Sequence, residues 1–135
     1  MTLHLLDSDA VIDFLYDITD SVQLVQGLFA RGDTPCTCDV VVAEVYAGLH
    51  AHEQPRAEQL LTGLAYLPTT PEAARQAGAW RYAYMRQGHT IPITDCLIAA
   101  VAASAGATVV TGNLKDFPMS EITLLPLPRR RTGGV

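Results

Sequence analysis

The sequence predicts an α/β protein, a three-layer α/β/α sandwich with a central, mostly parallel sheet of four to five short strands. Three observations carry this. Short apolar runs that end in turn residues alternate with segments of helical period along the chain. The chain opens strand then helix and closes helix, strand, loop, strand, a succession that builds parallel sheets. One segment, residues 95–105, is apolar on nearly every side, as befits a helix buried in the middle of a layered fold.

Residues 3–6 form the first apolar run and end at Asp7; residues 10–16 then read as a short helix. Val22, Val25, Leu28 and Phe29 recur at helical spacing until Gly32 stops the pattern. Residues 34–37 suit a brief strand, after which Asp39 is placed to N-cap a helix over 40–49. Pro55 stands near the start of a further helix, 56–64, closed by Gly63. Residues 65–67 suit a third strand, and the longest helix runs over 71–87 with Gly88 as its stop. After a loop over 89–93, Thr94 is expected to cap the apolar helix 95–105, which Gly106 ends. A strand at 108–111, a loop at 112–117, a last strand at 122–125 and a tail from Pro126 complete the chain.

A chain of 135 residues buries one core, so one domain and one site are expected. Residues 1–128 are assigned to that domain and residues 129–135, with their Arg129, Arg130, Arg131 run, to a basic flexible tail. Hydrophobic residues are 49% and charged residues 17%, a globular balance. No apolar run approaches the roughly 18 residues a membrane span needs, and an early aspartate argues against a secretory leader, so a cytoplasmic location is expected. Cys36, Cys38 and Cys96 contain no C-x-x-C pair and read as reduced core thiols. The four histidines, His4, His50, His52 and His89, lack the spacing of a helix-borne zinc site. The net charge of −5 runs against the basic surface usual in nucleic-acid binders, unless many of the acids have another task.

Four acids stand in places that need explaining. Glu44 shares a helical face with Val40, Val41, Ala47 and Gly48, where a carboxylate requires a partner, a metal or water. Asp95 opens the most apolar helix, where the helix dipole favours it. Asp7 and the Thr111–Asp116 loop both follow strands, at the edge where open α/β sheets bind ligands. Ordinary capping and turn chemistry accounts for each alone, but a parallel sheet puts both strand ends on one edge, within reach of the helix-borne acids. Two carboxylates about 4 Å apart repel by roughly 4 kcal/mol at an effective dielectric near 20. A cluster of them calls for a hard divalent cation, Mg2+ or Mn2+, of the kind that activates water against a phosphodiester.

Read in order, Leu-Leu-Asp7-Ser8-Asp9-Ala-Val-Ile-Asp13, Glu44-Val-Tyr-Ala-Gly48, Thr94-Asp95-Cys-Leu-Ile and Val-Val-Thr111-Gly-Asn113-Leu-Lys115-Asp116-Phe117 resemble the PIN-domain family, and within it the VapC toxins. The resemblance implies a PIN-like nuclease domain and a metal-dependent endoribonuclease, the toxin of a type II toxin–antitoxin pair. Asp7, Glu44, Asp95 and Asp116 would form its acidic pocket, with Asp7 and Asp95 the principal metal ligands. Ser8, Asp9, Thr111 and Asn113 would line the pocket. Many relatives carry an acid where this chain has Asn113, which leaves open whether Asn113 or Asp116 completes the metal site. Asp9 stands where Ser or Asn is usual. The resemblance further implies an RNA substrate, a cognate small antitoxin protein and a homodimer. Lys115, Arg75, Arg81 and Arg86 are the cations available for RNA contact.

Two other readings fit parts of the chain. Asp7-Ser8-Asp9-Ala10-Val11 matches the D-x-D-x-V opening of haloacid-dehalogenase-like phosphatases, with Asp7 as nucleophile, but leaves Glu44 unexplained. A non-catalytic α/β binding module would need the acids only as caps.

Overall fold

A computed structural model describes residues 2–128. The elements in chain order are β1 (Leu3–Leu6), α1 (Ser8–Leu15), α2 (Thr19–Ala30), β2 (Thr34–Cys38), α3 (Asp39–Gly48), α4 (Gln54–Thr62), β3 (Ala65–Leu67), α5 (Pro71–Arg86), α6 (Ile93–Ala105), β4 (Thr108–Thr111) and β5 (Thr123–Pro126). The strands form one five-stranded sheet in the order β3-β2-β1-β4-β5. Every pairing in it is parallel, where the sequence predicted a mostly parallel sheet. With the six helices around it, the sheet gives the three-layer sandwich that was expected. Among the described residues no helix is long and apolar enough to cross a membrane. The tail assigned to residues 129–135 lies outside the described residues.

The central strands are the most deeply buried part of the sheet. Leu5 and Leu6 of β1 and Val109 and Val110 of β4 are fully buried, the continuous apolar character that a parallel strand covered on both faces requires. Cys36 and Cys38 of β2 are buried free thiols, and so is Cys96 of α6. In α6 the residues Cys96, Ile98, Ala99, Ala100, Val101 and Ala102 are all buried, so its all-round apolarity has the predicted cause. Helix α5 buries only Ala73, Ala77 and Trp80, one stripe at helical spacing. Thr70 caps it by accepting from the Ala73 N–H at 3.1 Å.

Two predicted caps are corrected. Helix α6 starts at Ile93 and not at Asp95, because Pro92 takes the N-cap position and its carbonyl accepts from the amides of Asp95 and Cys96. Thr94 therefore lies inside the first turn and caps nothing. In α3 the N-cap is the extended Cys38, and Asp39 is already helical; its carboxylate instead accepts from the Tyr66 hydroxyl. Strand β5 begins one residue later than predicted, and a 3-10 turn at Ala51–Glu53 was not anticipated.

After α6 the chain reverses through Gly106 at φ 67°, in the left-handed region, and enters β4. A side chain there meets no steric neighbour within 4 Å, so the backbone conformation alone sets the cost. Gly106→Ala is expected to lower unfolding stability by about 1–2 kcal/mol; a urea midpoint equal to that of the unsubstituted protein would contradict this.

Candidate active site

In an open parallel sheet, ligands bind beyond the carboxyl ends of the strands, at the point where the strand order changes direction. Here that point lies between β1 and β4, which lead away to β2-β3 on one side and to β5 on the other. Asp7 leaves β1 and Thr111 ends β4 at this crevice. The register Leu6 to Val110 fixes them side by side, and the Asp7 amide donates to the Val110 carbonyl at 2.9 Å.

Asp7 is 3% exposed and N-caps α1. One carboxylate oxygen accepts from the Ser8 amide at 2.8 Å, and the other accepts from the Thr111 hydroxyl at 2.8 Å. Burial nevertheless pushes its pKa up, and the negative charges of Glu44 and Asp116 push in the same direction. Asp95, on the third residue of α6, is pushed up to about 7, first by desolvation and then by the charges of Asp7, Asp116 and Glu44. The neighbouring Asp116 side chain also favours the protonated form of Asp95.

Glu44 on α3 has one buried carboxylate oxygen with no hydrogen-bond partner among the described residues. The flank that carries it is only partly covered: Val41 is buried, while Ala47 and Gly48 are exposed. Asp116 closes a short turn, Leu114–Asp116, inside the loop after β4, and so is brought back toward Asp95. The four acids singled out from sequence thus form one electrostatic group assembled from β1, α3, α6 and the β4 loop.

The residues expected to line the pocket lie on α1, at the end of β4 and on the loop that follows it. Ser8 opens α1, and Thr111 is fully buried, donating to Asp7 and accepting from the Asn113 amide at 2.9 Å. Asp9 accepts from the Gly112 amide at 2.9 Å and is pushed up to about 6 by burial and by Asp7. Asp13, from the same opening motif, turns away and accepts from Ser21 at 2.8 Å.

The candidate RNA-contacting cations divide. Lys115 is exposed beside an open depression of about 470 Å3 formed with Gly112, Asn113 and Leu114. Arg81 stands close enough to Cys96, the neighbour of Asp95, to lower the pKa of its thiol against the stronger effect of burial. Arg86 lies over the Tyr82 ring at 5.2 Å. Arg75 is paired with Glu72 at 3.6 Å, at the end of α5 that packs beside Ala103 and Ser104, opposite the Asp95 end of α6.

Among the described residues no three His, Cys, Asp or Glu side chains converge on one point as a formed metal cage. The donor chemistry still suits a hard cation. All four groups are carboxylates, burial raises the pKa of Asp7 and Asp95, and one buried Glu44 oxygen has no hydrogen-bond partner among the described residues. Sequence reasoning missed how tightly the β4 loop is tied to the motif at Asp7–Asp9; the Thr-Gly-Asn turn was its only trace.

The comparisons with known proteins agree with this geometry. The PIN domain family profile matches residues 4–118. Ribonuclease VapC10 of Mycobacterium tuberculosis is 33% identical over 118 residues, 87% of each chain. Ribonuclease VapC19 of the same organism is 26% identical over 117 residues, 87% of this chain and 94% of that one. Among solved structures, VapBC2 from Rickettsia felis bound to a promoter DNA fragment superposes with a TM-score of 0.83 at 20% identity, covering 94% of this chain and 100% of the other. DNA-bound VapBC from Salmonella typhimurium gives 0.81 at 22%, covering 95% and 100%. These two show likeness of fold.

The raised pKa of Asp95 has a consequence for the metal-free protein. A carboxyl group that titrates at about 7 when folded and near its ordinary value of 3.8 when unfolded binds protons more tightly in the folded state. Its stabilising contribution is full below the unfolded pKa and is lost as pH rises through the folded one. In EDTA the melting temperature should therefore fall between pH 4 and pH 7, and Asp95→Asn should flatten that fall and melt higher than the unsubstituted protein at pH 8. A helix-capping role alone predicts the reverse for Asp95→Asn, because losing first-turn charge costs about 0.3–1 kcal/mol.

Proposed function

The chain belongs to the PIN-domain family, and on that premise we propose that it is a divalent-metal-dependent endoribonuclease, the toxin half of a type II toxin–antitoxin pair. The observation that carries this is the electrostatic coupling of Asp7 and Asp95 to each other and to Glu44 and Asp116 beside the crevice between β1 and β4. The relatives with most of their length matched are themselves named ribonucleases. The phosphatase alternative falls with the family assignment, and two carboxyls raised by burial and by the charges of Glu44 and Asp116 are more than a binding scaffold needs for capping.

Asp7 and Asp95 are the principal ligands for Mg2+ or Mn2+, and Glu44 and Asp116 complete the negative pocket. A bound ion supplies a water of lowered pKa and neutralises charge on the phosphodiester. The residues perform the remaining work. Thr111 holds the Asp7 carboxylate by its hydroxyl, so that one oxygen is fixed in direction. Asp95, whose carboxyl is pushed up to about 7, would have to lose its proton to hold a cation, which would couple metal binding to pH. Glu44 accepts a proton or a water through the oxygen that has no protein partner. Ser8, Asp9 and Asn113 are the proposed lining of the pocket, and Lys115, Arg81 and Arg86 the proposed contacts to phosphate, supported for Lys115 by its exposed position on the loop after β4. Arg75 lies too far along α5 to join them.

RNA is the substrate, and a small cognate antitoxin protein is the partner, with the active form a homodimer in the cytoplasm. Exposed Tyr82, Met85 and Ile93, near where α5 passes into α6, supply apolar surface of the sort a partner covers.

The decisive substitutions remove charge without changing shape. Asp95→Asn, Asp7→Asn and Glu44→Gln should each cut RNA cleavage at least tenfold and abolish toxicity in cells, with unchanged circular dichroism, because each takes one acid from the pocket. EDTA should stop cleavage, and Mn2+ should restore it. Cleavage by Asp95→Asn above a tenth of the unsubstituted rate would overturn the assignment.

A further inference from the structure

We infer that Asp9 is a positioning residue that clamps the loop after β4 and so sets where Asn113 and Asp116 stand; this rests on the reading of the acidic crevice as a metal-dependent nuclease centre. Asp9 is the second residue of α1, and a first-turn acid needs no explanation beyond the helix dipole. Its contacts need one. One carboxylate oxygen accepts from the Gly112 amide, 103 positions away in sequence, at 2.9 Å. Gly112 is buried, and a buried amide left without an acceptor costs about 1–3 kcal/mol.

The neighbouring amide is treated in the same way. Asn113 N–H donates to the Thr111 hydroxyl, which donates in turn to Asp7. Two successive amides of the loop are thus held by side chains, one directly from Asp9 and one through Thr111 by Asp7. The turn that presents Asp116 is built on the far side of this anchor, with the Asp116 amide donating to the Asn113 carbonyl at 3.0 Å. Release of Gly112 loosens the segment that delivers Asp116 to Asp95.

The other Asp9 oxygen is buried and has no hydrogen-bond partner among the described residues. It gives the rival explanation, that Asp9 is itself a metal ligand. The two roles differ in what they ask of the side chain. A clamp needs an acceptor of the right length, which Asn keeps; a carboxylate ligand for a hard cation loses much of its hold when Asn removes the charge.

The test compares the full-length unsubstituted protein with Asp9→Ala and Asp9→Asn. Three properties are measured: amide exchange at Gly112 by NMR in metal-free buffer, Mn2+ affinity by calorimetry, and RNA cleavage. In Asp9→Ala the Gly112 amide should exchange roughly fivefold faster, as loss of one hydrogen bond of about 1 kcal/mol implies. The Mn2+ dissociation constant should rise about tenfold, the usual effect of losing a group that orients a ligand. The loss should fall on kcat while KM for RNA stays unchanged, and Asp9→Asn should recover most of it. Should the alanine variant fail to fold, Asp9→Ser, too short to span to Gly112, takes its place in the comparison. Unchanged exchange and affinity in the shortened variants would overturn the inference. So would an Asn variant as impaired as the Ala variant, which would make Asp9 a ligand. If the unsubstituted protein bound no Mn2+, the nuclease reading would fail, while the exchange comparison would still decide the clamp.

Discussion

The parallel pairing of β1 with β4 is the contact on which the rest of the molecule depends. These strands lie 102 residues apart from the first residue of β4 to the end of β1, and their adjacency places the start and the end of the chain's acidic motifs at one crevice. It is made by ladder hydrogen bonds and by burial of Leu5, Leu6, Val109 and Val110 between helical layers. Once it exists, Asp7 and Thr111 must meet, the loop after β4 must pass over the start of α1, and α6, which leads directly into β4, brings its first turn to the same edge.

That edge is electrostatically costly to assemble. Carboxylates brought out of water favour their protonated forms, and each one raises its neighbours. The result is visible in Asp95, pushed up to about 7, and in Asp7, which stays raised despite two hydrogen bonds. A divalent cation removes the cost for all of them together. The same accounting answers the net charge of −5. Several of the acids are gathered beside one crevice rather than spread evenly over the surface, and Lys115 stands exposed on the loop next to it.

The fold was legible because it is local in origin: strand and helix periods, Gly106 and Gly88 as stops and the all-apolar α6 each follow from neighbours in sequence. Strand order was not legible, since nothing within β1 or β4 announces the other. The caps at Asp39 and Thr94 were misread for a related reason. A side-chain cap competes with whatever else can start the helix, and Pro92 and the extended Cys38 won that competition from outside the window that suggested them. The acids could be picked out because a carboxylate in an apolar stretch contradicts its surroundings. The link between Asp9 and Gly112 could not, because an acid in the first turn of a helix contradicts nothing.

At pH 6.5 Asp95, pushed up to about 7, holds a proton that a bound cation would displace. Calorimetric titration of the protein with Mn2+ at pH 6.5, repeated in buffers of different ionisation enthalpy, measures this directly. The account predicts saturable binding whose apparent enthalpy varies with the buffer, reporting net release of protons from groups such as Asp95, and a release that declines by pH 8. Binding with no proton release at pH 6.5, or no binding at all, would contradict it.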